Sequence, residues 1–78
     1  MAHLRLFGPA RQAAGVATTT AEGETVAAAL ESARDRFGAV FSAVLDTSAV
    51  WVNGVAVGFE TRVGADDEIA VLPPVSGG

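Results

Sequence analysis

Apolar and polar residues alternate at the start of the chain. Leu4 and Leu6 are interleaved with His3 and Arg5, the period of a half-buried strand. Gly8-Pro9 is expected to end that strand, and Ala10 to Ala14 to make a helical turn closed by Gly15. Val16 to Ala21 contains Thr18, Thr19 and Thr20, β-branched residues suited to a second strand, so the first pair reads as a wide hairpin. After the Gly23-Glu24 turn, Thr25 stands where a helix N-cap belongs. Val26, Leu30, Ala33 and Phe37 then recur at spacings of four, three and four, one face of an α-helix. Ala27, Ala28 and Ala29 favour it, and Arg34, Arg36 and Gly38 suit its C-terminus. Ala39 to Leu45 predicts a short further helix with Val40, Phe41 and Val44 on its apolar side. Val50-Trp51-Val52 and Val55-Ala56-Val57 flank Asn53-Gly54, a strong hairpin signal. Gly58 to Asp67 reads as a connector, and Ile69 to Leu72 as a last strand stopped by Pro73-Pro74.

This order predicts an α+β roll, a mixed sheet packed on one main helix, over residues 1–72, with residues 73–78 as an extended, flexible tail. The 78 residues suffice for one small domain, and with half of them hydrophobic a folded core is expected rather than disorder. The net charge of −4 argues against a phosphate-backbone partner, and so against nucleic acid. There is no long apolar run, so neither a signal peptide nor a membrane span is expected, and the reading is of a soluble, cytoplasmic protein. With no cysteine there is no disulfide, thiolate metal site or cysteine nucleophile. With no lysine, all five basic residues being arginines, there is no side-chain amine for Schiff-base chemistry or for building the chain into polymers.

The candidate chemistry lies in Pro73-Pro74-Val75-Ser76-Gly77-Gly78. The prolines stop the sheet and launch the chain outward in an extended path. Val75 to Gly78 then reaches roughly 13 Å at about 3.3 Å per residue. Gly77 and Gly78 lack a Cβ, so they fit a slot too narrow for other residues and can lie against a nucleotide. A bare carboxylate is a poor electrophile. As an acyl-adenylate formed with ATP it becomes reactive, and a sulfur donor then converts it to a thiocarboxylate, whose sulfur is a good nucleophile. A carrier without cysteine can hold sulfur only there, apart from the thioether of Met1. The plain alternative for a Gly-Gly end is fraying or a processing scar.

The string Ile69-Ala70-Val71-Leu72-Pro73-Pro74-Val75-Ser76-Gly77-Gly78 resembles the C-terminus of molybdopterin synthase small subunits, which are ubiquitin-like β-grasp sulfur carriers. Leu6-Phe7, Arg11 to Gly15, Thr25-Val26, Val52-Asn53-Gly54 and Asp67-Glu68-Ile69 fall in the order the family shows. Gly8-Pro9 and Asp66 depart from it: small and basic residues are expected at the first site, and often glycine at the second. The resemblance implies a β-grasp fold and a cycle at Gly78. An E1-like adenylating enzyme activates its carboxyl with ATP and Mg²⁺, and a sulfur donor leaves a thiocarboxylate. Pro73, Pro74, Val75, Ser76 and Gly77 then insert into the large synthase subunit, and sulfur passes to cyclic pyranopterin monophosphate. It further implies a heterotetramer with two large subunits, catalytic side chains belonging to the large subunit, and no cofactor or metal held by the chain alone.

Three residues are candidate partner contacts. Trp51 faces outward if Val50 and Val52 face the helix, and is core if the register is reversed. Phe7 is similar to a partner contact of the family, with core the alternative. Arg11 is placed to pair with a partner's acid or simply to be solvated. Asp66, Asp67 and Glu68 read as a solvated turn, and His3 as a surface residue. The competing functions are a sulfur carrier for thiamine or cysteine biosynthesis, a ubiquitin-like modifier joined to lysines of targets, and a non-catalytic interaction module.

Overall fold

In the computed structural model, which describes residues 1–73, the first alternation becomes strand β1, Ala2–Leu6. Ala2, Leu4 and Leu6 are buried, and His3 and Arg5 are exposed. Gly8-Pro9 does more than end the strand: it opens helix α1, Gly8–Ala14, with Phe7 at the N-cap. Proline is tolerated in a first turn, where its missing N–H has no helical partner to lose. Gly15 closes α1 in the left-handed conformation, and its N–H donates to Arg11 O (2.9 Å).

Strand β2, Thr18–Ala21, pairs antiparallel with β1, as the threonine run predicts. Thr25 caps helix α2, Val26–Phe37: its Oγ1 accepts from the Ala28 N–H at 3.1 Å. The face read from the sequence is the buried one, with Val26, Ala29, Leu30 and Ala33 in the core and Phe37 packed at its margin. Gly38 joins α2 to helix α3, Ala39–Asp46. Here one expectation fails: Phe41 and Leu45 are buried, whereas Val40 is 70% exposed. A helix turns about 100° per residue, so Val40 cannot share the stripe that Phe41 and Leu45 define one turn apart. The Phe37 and Phe41 rings meet at 5.1 Å and lock α2 to α3.

Strands β3, Ala49–Val52, and β4, Val55–Ala56, form the expected hairpin, with Asn53 and Gly54 both at positive φ (51° and 84°) as a two-residue turn of this kind requires. Val57 lies past the end of β4 and is half-buried. The connector is anchored to the start of α2. Val26 N–H donates to Thr61 O and Ala27 N–H to Phe59 O, each at 2.9 Å, which satisfies donors that a helix start leaves without intrahelical partners. Strand β5, Glu68–Leu72, completes a mixed sheet of order β2-β1-β5-β3-β4, parallel between β1 and β5 and antiparallel elsewhere. Leu4, Leu6, Val50, Val52, Ile69 and Val71 form the inner face of the sheet and pack in one core with Val26, Leu30, Phe41 and Leu45.

Asp66 has no positive φ, so the residue that departs from the family's pattern sits in ordinary backbone. The expectations for Pro74, Val75, Ser76, Gly77 and Gly78 lie outside the described residues.

The open sheet face as candidate functional site

Burying alternate residues of β1, β5 and β3 forces their neighbours onto the opposite face. The register aligns Arg5 with Ala70, Ala70 with Trp51, and Leu72 with Ala49. Trp51 therefore points away from the core, since Val50 and Val52 are buried beside it, and it is 40% exposed. The reversed register, with Trp51 in the core, does not occur. Phe7 is 37% exposed at the end of β1, so it is not a core residue either.

Together these residues shape a groove of about 390 Å³. Ala49 and Ala70 supply small residues between the larger Trp51, Phe7 and Leu72, and Pro73 lies at its rim. Pro73 is also seated near the start of α1: a Cβ on Gly8 would lie 3.5 Å from its Cγ. The central strand β5 thus delivers the chain to the edge of the sheet face that carries exposed Phe7 and Trp51. Arg5 and Glu68 flank the groove as an exposed pair at 3.6 Å, and Arg5 lies 6.0 Å from the Phe7 ring centroid. An exposed pair of this kind contributes little to stability, so both charges remain open to a partner.

The sheet edges are less inviting. Leu6 N–H donates to Ala17 O (2.8 Å), so Thr18 and Thr20 turn their backbone groups to the free edge of β2. Arg36 covers that edge, donating through Nη2 to Thr20 O (2.8 Å) and Thr19 Oγ1 (3.1 Å). The other edge, β4, is two residues long. A covered edge and a very short one both disfavour strand addition, so the face is the better docking surface.

Arg11 is exposed, but it lines a separate hollow with Gly8, Gln12, Gly15 and Val16. Phe7, Trp51 and Pro73 are brought together; Arg11 is not among them. Arg5, Ala49, Ala70 and Leu72 escaped the sequence reading. The alternation of β5 carried the signal for two of them, because inward Ile69 and Val71 require outward Ala70 and Leu72.

The acidic turn has internal work. Asp67 Oδ1 accepts from Asn53 Nδ2 (2.9 Å) and Oδ2 from the Gly64 N–H (2.7 Å). The Asn53 side-chain bond, and after it the Gly64 bond, hold the Asp67 carboxyl below its ordinary pKa. Among the described residues no group of three His, Asp or Glu side chains is placed to hold a metal ion. No described helix is long and apolar enough to cross a membrane.

A model of the ThiS family matches residues 4–78. No curated protein matches the chain. Several solved structures are similar to it, three of which follow. Small archaeal modifier protein 1 from Methanosarcina acetivorans is 30% identical, with 99% of this chain and 95% of that one covered and a TM-score of 0.86. Its counterpart from Haloferax volcanii is 32% identical, with 97% of each chain covered and a TM-score of 0.78. A putative molybdopterin converting factor subunit 1 from Pyrococcus furiosus is 26% identical, with 95% of this chain and 97% of that one covered and a TM-score of 0.79.

Proposed function

The chain belongs to the ThiS family of ubiquitin-like sulfur carriers and has their β-grasp fold, and from that premise we propose that it carries sulfur on the carboxyl of Gly78 for molybdenum cofactor biosynthesis. The observation that carries this reading is a juxtaposition. The family match runs through Pro73-Pro74-Val75-Ser76-Gly77-Gly78, and β5 brings the first of these residues, Pro73, to the groove beside Trp51.

The chemistry follows from the groups available. The Gly78 carboxylate attacks the α-phosphate of ATP on an E1-like enzyme that uses Mg²⁺, and pyrophosphate leaves. Sulfide released by a sulfur donor attacks the acyl carbon and AMP leaves, so the carboxyl becomes a thiocarboxylate. The open face then docks on the large subunit of molybdopterin synthase, in a heterotetramer, with Phe7 and Trp51 as apolar anchors. Residues Pro73 to Gly77 enter the subunit's active site, and the sulfur attacks cyclic pyranopterin monophosphate; water then cleaves the bond between the Gly78 acyl carbon and sulfur, leaving the sulfur on the pterin and returning the Gly78 carboxylate. The catalytic side chains belong to that subunit; this chain supplies the nucleophile and the docking surface.

A second reading is favoured by the likeness to small archaeal modifier proteins at 30–32% identity. As a modifier, the same activated carboxyl would pass to a lysine amine of a target. The chain has no lysine of its own, so side-chain polymers of it would not form. One experiment separates the two. Thiocarboxylated chain is mixed with molybdopterin synthase large subunit and cyclic pyranopterin monophosphate, and the dithiolene product is measured. Product forming in proportion to the thiocarboxylate supports the carrier. No product, with the chain recovered in amide linkage to lysines when activated in an extract, overturns it in favour of the modifier.

A further inference from the structure

Asn53-Gly54 joins an asparagine to the residue that least shields its own backbone nitrogen. With no Cβ on Gly54, that nitrogen can approach the side-chain carbonyl carbon, Cγ, of Asn53. The Asn53 side chain, however, is held elsewhere. Nδ2 donates to Asp67 Oδ1 at 2.9 Å, and Oδ1 accepts from the Glu68 N–H at 3.0 Å. The backbone N–H of Asn53 donates to Glu68 O at 2.9 Å. Both ends of the amide are thus tied to the start of β5. Ring closure on Cγ requires the side chain to swing away and both of its bonds to break. The residue is exposed, so water stands ready once it does.

We propose that Asn53 is a deamidation site gated by this clasp. While the clasp is closed the amide is protected; each opening exposes Cγ to the Gly54 nitrogen. Solvent base removes the Gly54 amide proton, and the nitrogen bonds to Cγ. The Cγ–Nδ2 bond breaks, and the leaving nitrogen takes a proton from solvent and departs as ammonia. One water then opens the cyclic imide at either carbonyl and leaves aspartate or isoaspartate at position 53. Water is the only co-reactant, and nothing is oxidised or reduced.

Neither product can rebuild the clasp. Aspartate sets a carboxylate against that of Asp67, where an amide donor had been. Isoaspartate lengthens the main chain inside a two-residue turn that fixes the register of β3 and β4. Gly54 and Trp51 both line the open face. The conversion is therefore a one-way loosening of the strand that presents Trp51. The chemistry at Asn53 is independent of the function proposed above.

The test follows conversion of Asn53 by peptide mapping with isoaspartate detection, at mildly alkaline pH. Native full-length chain, the same chain unfolded in urea, and the Asp67→Ala variant are compared. The native chain is expected to convert at least about tenfold more slowly than the unfolded one, the factor lost to breaking even one net hydrogen bond. The Asp67→Ala variant, if folded by circular dichroism, is expected to convert several-fold faster than wild type. Hydrogen exchange at the Glu68 amide of wild type provides a readout that needs no variant: its opening fraction should match the native-to-unfolded ratio of conversion rates. Converted chain, purified, should unfold at lower urea. Native conversion as fast as unfolded, a folded Asp67→Ala chain converting at the wild-type rate, or an unchanged urea midpoint after conversion would each overturn the proposal.

Discussion

Alanine at Gly23 and alanine at Gly15 are the same substitution in two different surroundings. Gly15, at the end of α1, has φ +79°, and an added Cβ would meet nothing within 4 Å. Only the left-handed backbone opposes a side chain there, which costs about 1–2 kcal/mol. Gly23, where the chain turns from β2 towards α2, has φ +142°, and its Cβ would lie 2.6 Å from Ala29 N and 2.7 Å from Ala28 C. Those atoms are helix backbone and cannot rotate away as a side chain can. The conformation costs roughly 1–3 kcal/mol, and relieving the overlap by shifting α2 adds about as much again. A domain of 78 residues has about 4–12 kcal/mol in all at typical values per residue. Gly23→Ala should therefore remove a large share of the stability, and Gly15→Ala a small one. Urea unfolding followed by far-ultraviolet circular dichroism measures both, and leaves Trp51 fluorescence as an independent probe. Equal losses at the two positions would refute the reasoning, because they would mean that helix backbone does not crowd Gly23.

Phe41→Ala should lower stability by about 3–5 kcal/mol, since the fully buried ring leaves a cavity between α2, α3 and the sheet; a loss below about 1 kcal/mol in urea titration would contradict the packing described. Arg36→Ala should leave the urea midpoint nearly unchanged yet raise the aggregation rate seen by light scattering, because it uncovers Thr20 O on the β2 edge; no change in scattering would mean that Arg36 does not guard the edge. The depressed Asp67 pKa makes its bonds to Asn53 and Gly64 a source of stability that is fully present above the unfolded carboxyl value. That stability is lost as pH falls through the lower folded value, so the urea midpoint should drop below about pH 4. Asn53→Gly, which removes the side-chain amide donor that chiefly holds the Asp67 carboxyl down, should flatten that dependence; an unaltered profile would show that the bond does not hold the pKa down.

Much of the fold was legible because its signals are local. Thr25 caps a helix through an atom three residues from its partner, Asn53-Gly54 sets a two-residue turn, and Val50 and Val52 place Trp51 by alternation alone. What was missed depends on long-range pairing or on competition between neighbours. The parallel β1–β5 register brings Arg5 and Ala70 together across the length of the chain, and no spacing announces it. Arg36 reads as a helix-end charge; only the packing of α2 beside β2 makes it an edge guard. Val40 reads as inward because it is apolar, yet the angular position of Phe41 and Leu45 turns it to solvent. Of the proposed site, the sequence offers the candidate chemistry through residue types alone: a glycine carboxyl after two prolines, in a chain without cysteine. The groove that Pro73 helps to line was not legible, because it opens over two alanines, Ala49 and Ala70, whose value lies in what they leave empty.

The proposed loading of sulfur on Gly78 is open to direct measurement. Intact mass spectrometry of the chain tests it, after incubation with an E1-like activating enzyme, Mg-ATP and a sulfide source, with a known family carrier run alongside. A sulfur-carrying Gly78 gives a mass gain equal to one oxygen replaced by sulfur, dependent on ATP and absent when Gly77 and Gly78 are deleted. An unchanged mass, under conditions that load the control carrier, would contradict it.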